Sequence, residues 1–214
     1  MGDIFQEIDE EVRRDRLHKF WKDYGGYIIA GIVAIVLGVS GSVGWREYSM
    51  QRQEADSDRF VEATALAARG KPAEAAAVFQ ALSDEAADGY ALFARFRVAD
   101  ALKVSGDIDG AIQIFEGIAT DSAVDDLYSD LAALLAIMHA IDGGDPESMR
   151  ARLTPLLADN AVWRHSAREL SGALALRTGD RELAKTEFQK LADDLLAPPG
   201  ARARATEILQ ILGD

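Results

Sequence analysis

The side chains in this chain that could move protons or hold a metal are its carboxylates and three histidines, His18, His139 and His165. The histidines are far apart, and none has a second histidine at the helical spacing of an HExxH-type zinc site. His139 follows Met138 inside an apolar run, where packing against a neighbouring helix is the expected role. The carboxylate runs Asp84-Glu85, Asp125-Asp126 and Asp193-Asp194 fall at expected helix ends and turns. Capping and solvation account for such positions better than a general acid–base pair. The sequence has no G-x-S-x-G elbow and no GK[ST] loop, and its lack of cysteine removes thiolate chemistry, disulfides and Cys-based metal sites. Gly38-x-x-Gly41-x-x-Gly44 looks superficially like a phosphate loop, but it follows no strand and has no basic residue beside it. No catalytic, cofactor-binding or metal site is expected, and no small-molecule substrate. Binding is the expected output.

Charge narrows the partners. The 214 residues carry a net charge of −13, with 36 acidic and 23 basic side chains. Most of the excess lies after residue 46. An acidic surface repels a phosphate backbone, so nucleic acid is not an expected partner.

The stretch Gly25–Trp45 runs without a charge between Asp23 and Arg46. A helix of about 20 residues at about 1.5 Å each crosses a hydrocarbon core of about 30 Å. Trp21, Tyr24 and Tyr27 flank one end and Trp45 and Tyr48 the other, as interfacial anchors do. A buried soluble helix would be shorter, and a signal peptide would have a simpler basic leader. The expected organisation is a leader over 1–24, a transmembrane helix over 25–45, a juxtamembrane linker or helix over 46–55 and a repeat domain over 56–214. Arg13, Arg14, Arg16, Lys19 and Lys22 precede the span closely; Arg46, Arg52 and Arg59 follow it. That bias predicts a cytoplasmic N-terminus with the large domain outside.

In the leader, Ile4, Ile8 and Val12, then Leu17, Phe20, Trp21 and Tyr24, recur at helical spacing. This fits an amphipathic helix lying at the membrane or on a partner, or a solvated leader that orders near Leu17. Within the span Ala30, Ala34, Gly38 and Ser42 recur every fourth residue and share one face. Small residues so placed let another helix approach, although they are also common in spans generally.

Beyond residue 51, Ala, Leu, Glu and Arg are abundant and strand patterns are absent. Four segments align on a turn glycine, a residue five later that is small in all but the third, where Met149 stands for Ala, and an apolar residue four after that: Gly70, Ala75, Phe79; Gly106, Ala111, Phe115; Gly144, Met149, Leu153; Gly179, Ala184, Phe188. The spacing predicts four helix hairpins. The glycine ends the first helix of each in a left-handed conformation, and Asp107, Asp145 and Asp180 cap the second. Pro155 is expected to kink or shorten the second helix of repeat three. Residues 201–212 predict a final amphipathic helix, with Ala205, Ile208, Leu209 and Leu212 closing the array. Fold class is therefore all-α: an N-terminal transmembrane helix, then an α-solenoid of about four degenerate helix pairs with a C-terminal cap. The first helices of the pairs should line its binding face, through Phe60, Thr64, Phe93, Phe96, Asp100, Leu134 and Met138. Packing between repeats is the competing role for the same residues.

The period resembles the tetratricopeptide repeat, except that Arg59, Arg95, Ala133 and Arg168 stand where its first helix usually carries an aromatic. The leader Asp3–Arg16, the Phe20–Gly25 segment, a single span, Trp45-Arg46 and the Ala-rich repeats together resemble the YfgM-like family of ancillary subunits of the bacterial Sec translocon. The resemblance implies a single-pass inner-membrane protein with a periplasmic repeat domain. Its implied partners are the SecYEG channel and a membrane-anchored periplasmic chaperone, and its implied function is assisting newly exported proteins. A tethered scaffold for a cell-envelope or division complex is the alternative.

Overall fold

The computed structural model describes the backbone of residues 3–86 and 88–213, and side chains from Trp21 onward except those of Asp23, Ile28 and Asp88. The amphipathic pattern expected at Ile4–Phe20, and His18 with it, lies outside the described side chains. Among the described residues every regular element is a helix: α1 (Asp3–Ala68), α2 (Pro72–Glu85), α3 (Asp88–Ser105), α4 (Ile108–Ala119), α5 (Asp126–Ala140), α6 (Pro146–Leu156), α7 (Arg164–Arg177), α8 (Arg181–Asp193) and α9 (Pro199–Gly213). The chain divides into two units, Met1–Glu54 and Ala55–Asp214.

In the first unit α1 contains a stretch long and apolar enough to cross a membrane, and none of that stretch is buried in the protein. Ile32, Ile35, Val36, Leu37, Val39 and Val43 all stand more than half exposed. Burying one such side chain is worth about 1.5–3 kcal/mol, so leaving this row in water would be costly, whereas hydrocarbon suits it. Ala30, Ala34 and Ser42 are exposed on the same stretch, and a Cβ placed on Gly38 would meet nothing within 4 Å. The Trp45 and Tyr48 rings lie 6.2 Å apart, and the Arg52 guanidinium sits 5.7 Å from the Tyr48 ring centre, an arrangement suited to an interface.

The second unit is an array of hairpins, the end of α1 with α2, then α3/α4, α5/α6 and α7/α8, closed by α9. Each core cluster joins one pair to its neighbour. Ala63, Ala75, Phe79, Leu82, Ala94 and Val98 form the first; Ala99, Ala111, Phe115 and Ala136 the second. A third joins Leu134, Ile137, Met149 and Leu153 to Ala167 and Leu174, and the last joins Ala175, Ala184, Phe188 and Leu191 to Ala201, Ala205 and Leu212 of α9. Stability in such an array comes from each pair and its nearest neighbour. The expected capping helix is present: Ala205 and Leu212 are buried, with Ile208 and Leu209 packed beside them.

The turns follow from the glycines. Gly70, Gly106 and Gly179 have φ of 75°, 90° and 80°. The next residue's N–H reaches five residues back in each case: Lys71 to Leu66 at 3.0 Å, Asp107 to Leu102 at 2.9 Å, Asp180 to Ala175 at 2.8 Å. This is the Schellman closure that a left-handed residue allows. Asp107, Asp145 and Asp180 then accept from Gly110, Ser148 and Leu183 N–H at 2.9, 2.8 and 3.0 Å, capping the following helices.

Gly144 departs from the expectation. It is absent from the positive-φ glycines among the described residues, and its N–H bonds to Ala140 O at 2.7 Å. The turn is closed instead by the Arg177 guanidinium, which donates to the carbonyls of Ile141 and Gly144. α6, with Pro155 one residue before its end, is short, as expected of that proline. The first helices of the last three pairs begin at Asp88, Asp126 and Arg164, ahead of the apolar stretches that open at Phe93, Leu131 and Ala167.

A candidate protein-interaction face

The carboxylates singled out in the sequence are engaged structurally. Asp125 caps α5 by accepting from Leu127 N–H at 2.9 Å. Glu85 takes Arg59 at 3.1 Å. Asp194 accepts from Leu196 N–H at 2.9 Å and bonds His165 Nε2 at 2.9 Å. These contacts, the Leu196 N–H first and His165 next, hold the Asp194 carboxyl below the usual carboxylate range. Among the described residues no three His, Asp or Glu side chains converge on a metal-sized site.

The seven residues expected on the binding face separate into three groups. Leu134 is only 4% exposed and lies in the core between α5, α6 and α7, so it presents nothing to a ligand. Its helix is enclosed by Ala167 and Leu170 of the next pair, which the repeat phase alone did not reveal. Phe60 and Phe96 are half-buried in the seams; Phe60 stands edge-on to Phe79 at 5.3 Å and Phe96 lies 6.0 Å from Phe115. Thr64, Phe93, Asp100 and Met138 reach solvent. Phe93 and Met138 are each 42% exposed, with Phe93 set edge-on to Tyr128 at 5.6 Å.

Two of the four come together. Thr64 and Asp100 stand on the walls of a cavity of about 230 Å³ between the end of α1, α2 and α3, lined also by Phe79, Ala101 and Val104. Its surface is largely apolar, and Asp100 at the rim is flanked by Lys103 at 3.3 Å and Arg97 at 3.8 Å. Such a cavity accepts an apolar side chain while the charges fix a neighbouring polar group.

Beside Met138, His139 stacks on Phe115 with ring centres 5.9 Å apart. Its Nε2 is enclosed without a hydrogen-bond partner. Burial, followed by the charge of Lys103 and opposed by Asp100, pushes its pKa below the ordinary value near 6.5. The folded state therefore binds this proton less readily than the unfolded chain does. The contribution to stability is complete above about pH 6.5 and falls as acid protonates the unfolded chain first. His139→Phe is expected to flatten the decline in melting temperature between about pH 6.5 and 5, read by circular dichroism; an unchanged slope would assign the acid sensitivity to other groups.

Two structural devices escaped the sequence reading. Seven residues before each turn glycine stand Ala63, Ala99, Ile137 and Gly172, facing Phe79, Phe115, Leu153 and Phe188. The residue is small where the partner is Phe and large where it is Leu, so each pair fills a similar volume. A Cβ on Gly172 would lie 2.8 Å from two carbons of the Phe188 ring, which is itself buried. Gly172→Ala is expected to cost roughly 1–3 kcal/mol in urea denaturation, with much of it restored by adding Phe188→Leu.

The second device explains the missing aromatics. Arg59 bonds Glu85 at 3.1 Å, Arg95 bonds Asp121 at 2.8 Å, and Arg168 reaches Asp194 at 3.5 Å. In each case the acid lies at the end of the same hairpin, with the same sequence separation. An ionic clasp thus replaces the aromatic. In the third hairpin the arginine position is Ala133, and the matching acid, Asp159, is taken at 3.4 Å by Arg168 of the next pair. The clasps are partly solvated and worth about 0.2–1 kcal/mol each, so they set register more than stability.

The hairpin array, its left-handed turns and its open face define a tetratricopeptide-like interaction module, and the comparisons agree. Residues 18–210 match the tetratricopeptide repeat-like domain family, and the chain belongs to that family. It is also similar to the ancillary SecYEG translocon subunit of Haemophilus influenzae, 26% identical over 189 residues that cover 86% of this chain and 88% of the relative. No solved structure gives a significant match.

Proposed function

We propose that this chain is a single-pass inner-membrane protein that serves as an accessory of the Sec translocon. The observation that carries the reading is the similarity to an ancillary SecYEG translocon subunit along 86% of the chain. On this reading residues 1–24 are a cytoplasmic leader, 25–45 cross the membrane, 46–55 link, and 56–214 form the periplasmic repeat domain. The basic residues crowding the N-terminal side of the span support that orientation. The face of Ala30, Ala34, Gly38 and Ser42 docks on helices of the channel, which close approach by small side chains favours. Thr64, Asp100, Phe93 and Met138 receive a membrane-anchored periplasmic chaperone or segments of exported chains; a flexible exposed methionine suits varied partners.

Affinity purification of the full chain from membranes in mild detergent tests the docking. SecY is expected to co-purify with the native chain and to be depleted when Ala30, Ala34, Gly38 and Ser42 are all replaced by leucine. Equal recovery with both chains would contradict the assigned face, and absence of SecY from both would contradict the function.

A further inference from the structure

We propose that the edge of the repeat domain carrying Leu127, Val162, Leu195 and Leu196 is a second docking surface, fitted to a basic amphipathic polypeptide segment. It uses none of Thr64, Phe93, Asp100 and Met138 and does not depend on the function proposed above.

The two leucines are held out rather than left loose. Leu195 is 85% and Leu196 79% exposed, yet the turn that carries them is fixed at both ends. Asp194 accepts from Leu196 N–H at 2.9 Å through its carboxylate and from Ala197 N–H at 3.0 Å through its carbonyl, while Ala197 is buried in the last core cluster. The other Asp194 carboxylate oxygen is gripped by His165 at 2.9 Å, with Arg168 and Arg164 at 3.5 and 3.8 Å. Two residues before Arg164, Val162 stands 68% exposed. Trp163, between them, donates its Nε1–H to Leu127 O at 2.9 Å, which ties this loop to the partly exposed Leu127 at the start of α5. Polar residues at these loop positions would carry no exposure cost, so exposed apolar side chains on turns tied to one another point to a partner.

Charge identifies the partner's chemistry. Asp125 and Asp126 directly precede Leu127, Asp159 lies three residues before Val162 and Asp193 two before Leu195, so acids flank the apolar residues along the chain. The nearby cations Arg164 and Arg168 are turned onto Asp194, Arg168 also meeting Asp159. The border is therefore left negative, and burial with the neighbouring Asp126 charge pushes the Asp130 carboxyl upward, in keeping with crowded acids. Such a rim repels anionic lipid and attracts lysine and arginine placed around an apolar stripe.

The test uses the full chain in phosphatidylcholine nanodiscs, with empty nanodiscs as blank, and two labelled amphipathic peptides, one of leucine and lysine, the other of leucine and glutamate. Fluorescence anisotropy is expected to show the lysine peptide binding, weakening as salt is raised, and the glutamate peptide binding at least about tenfold more weakly. L195S/L196S should weaken the lysine peptide about tenfold or more without changing the melting temperature, since both side chains are already in solvent. Met138→Ser, about three turns further along α5 than Leu127, should leave this binding unchanged. Equal binding of the lysine peptide to the L195S/L196S chain, or equal binding of the two peptides, overturns the proposal. So does capture of the repeat domain by phosphatidylglycerol vesicles through the two leucines, which would make the edge a lipid-binding surface.

Discussion

Phe115→Ala is expected to destabilise the repeat domain by roughly 3–5 kcal/mol, among the largest effects of any single truncation in the array. Phe115 is 1% exposed and shares its cluster with Ala99, Ala111 and Ala136, while Phe96 and His139 cover the ring. Walls of alanine on well-formed helices cannot collapse into the space, which puts the cost toward the upper part of the range. The cluster joins the α3/α4 pair to α5. Because each pair leans only on its neighbours, the loss falls at that junction and should separate the array into two cooperative blocks. Urea denaturation followed by circular dichroism is expected to broaden or split, with hydrogen exchange rising first in α4 and α5. A single transition at the native midpoint would show that Phe115 does not link the pairs.

The second large effect concerns the apolar helix. An arginine at the centre of a span opposes insertion by about 2.5–3.5 kcal/mol, and Val36→Arg also removes a favourable valine worth about 0.3–0.6 kcal/mol. Val36 lies near the middle of the uncharged stretch, far from either aromatic flank, so a long side chain there reaches an interface only with difficulty. The substituted chain is expected to shift substantially toward the alkaline-carbonate-extractable fraction of membranes, whereas Val36→Leu remains with the pellet. Retention of the arginine chain in the pellet would mean that something other than the hydrocarbon core surrounds this helix.

Much of the fold was legible because the turn chemistry is local. A glycine that must be left-handed, an aspartate that caps and a small-then-aromatic spacing repeat on the chain, and each does its work within a few residues. Gly144 shows the limit of that reading. Its turn is closed by Arg177 of the next repeat, and a long-range donor leaves no mark near the glycine. The paired volumes at Ala63, Ala99, Ile137 and Gly172 escaped for a related reason. The residue type changes from repeat to repeat, and only its complement to Phe or Leu on the facing helix stays constant. Arg59, Arg95 and Arg168 stand in the sequence as departures from a pattern, although the acids that answer them recur at a fixed sequence separation.

The helices carrying the seven residues expected on the binding face follow from the repeat phase, but their exposure does not. Phe60, Thr64, Phe93, Phe96, Asp100, Leu134 and Met138 do belong to the first helices of the pairs, but how far each is covered depends on its neighbours. α5 packs on α4, α6 and α7, and so Leu134 is lost to the core while Met138, one turn on, stays open. The exposed Leu195-Leu196 turn carried no periodic signal, since it lies between helices.

The central claim, a membrane-tethered module working beside the Sec channel, is tested most directly by photo-crosslinking in living cells from probes at Ala34 and Met138. The account predicts adducts to SecY or its immediate neighbours from Ala34, and to a periplasmic chaperone or exported chains from Met138. Recovery of only cell-wall or division proteins at both positions would contradict it and favour a tethered envelope scaffold.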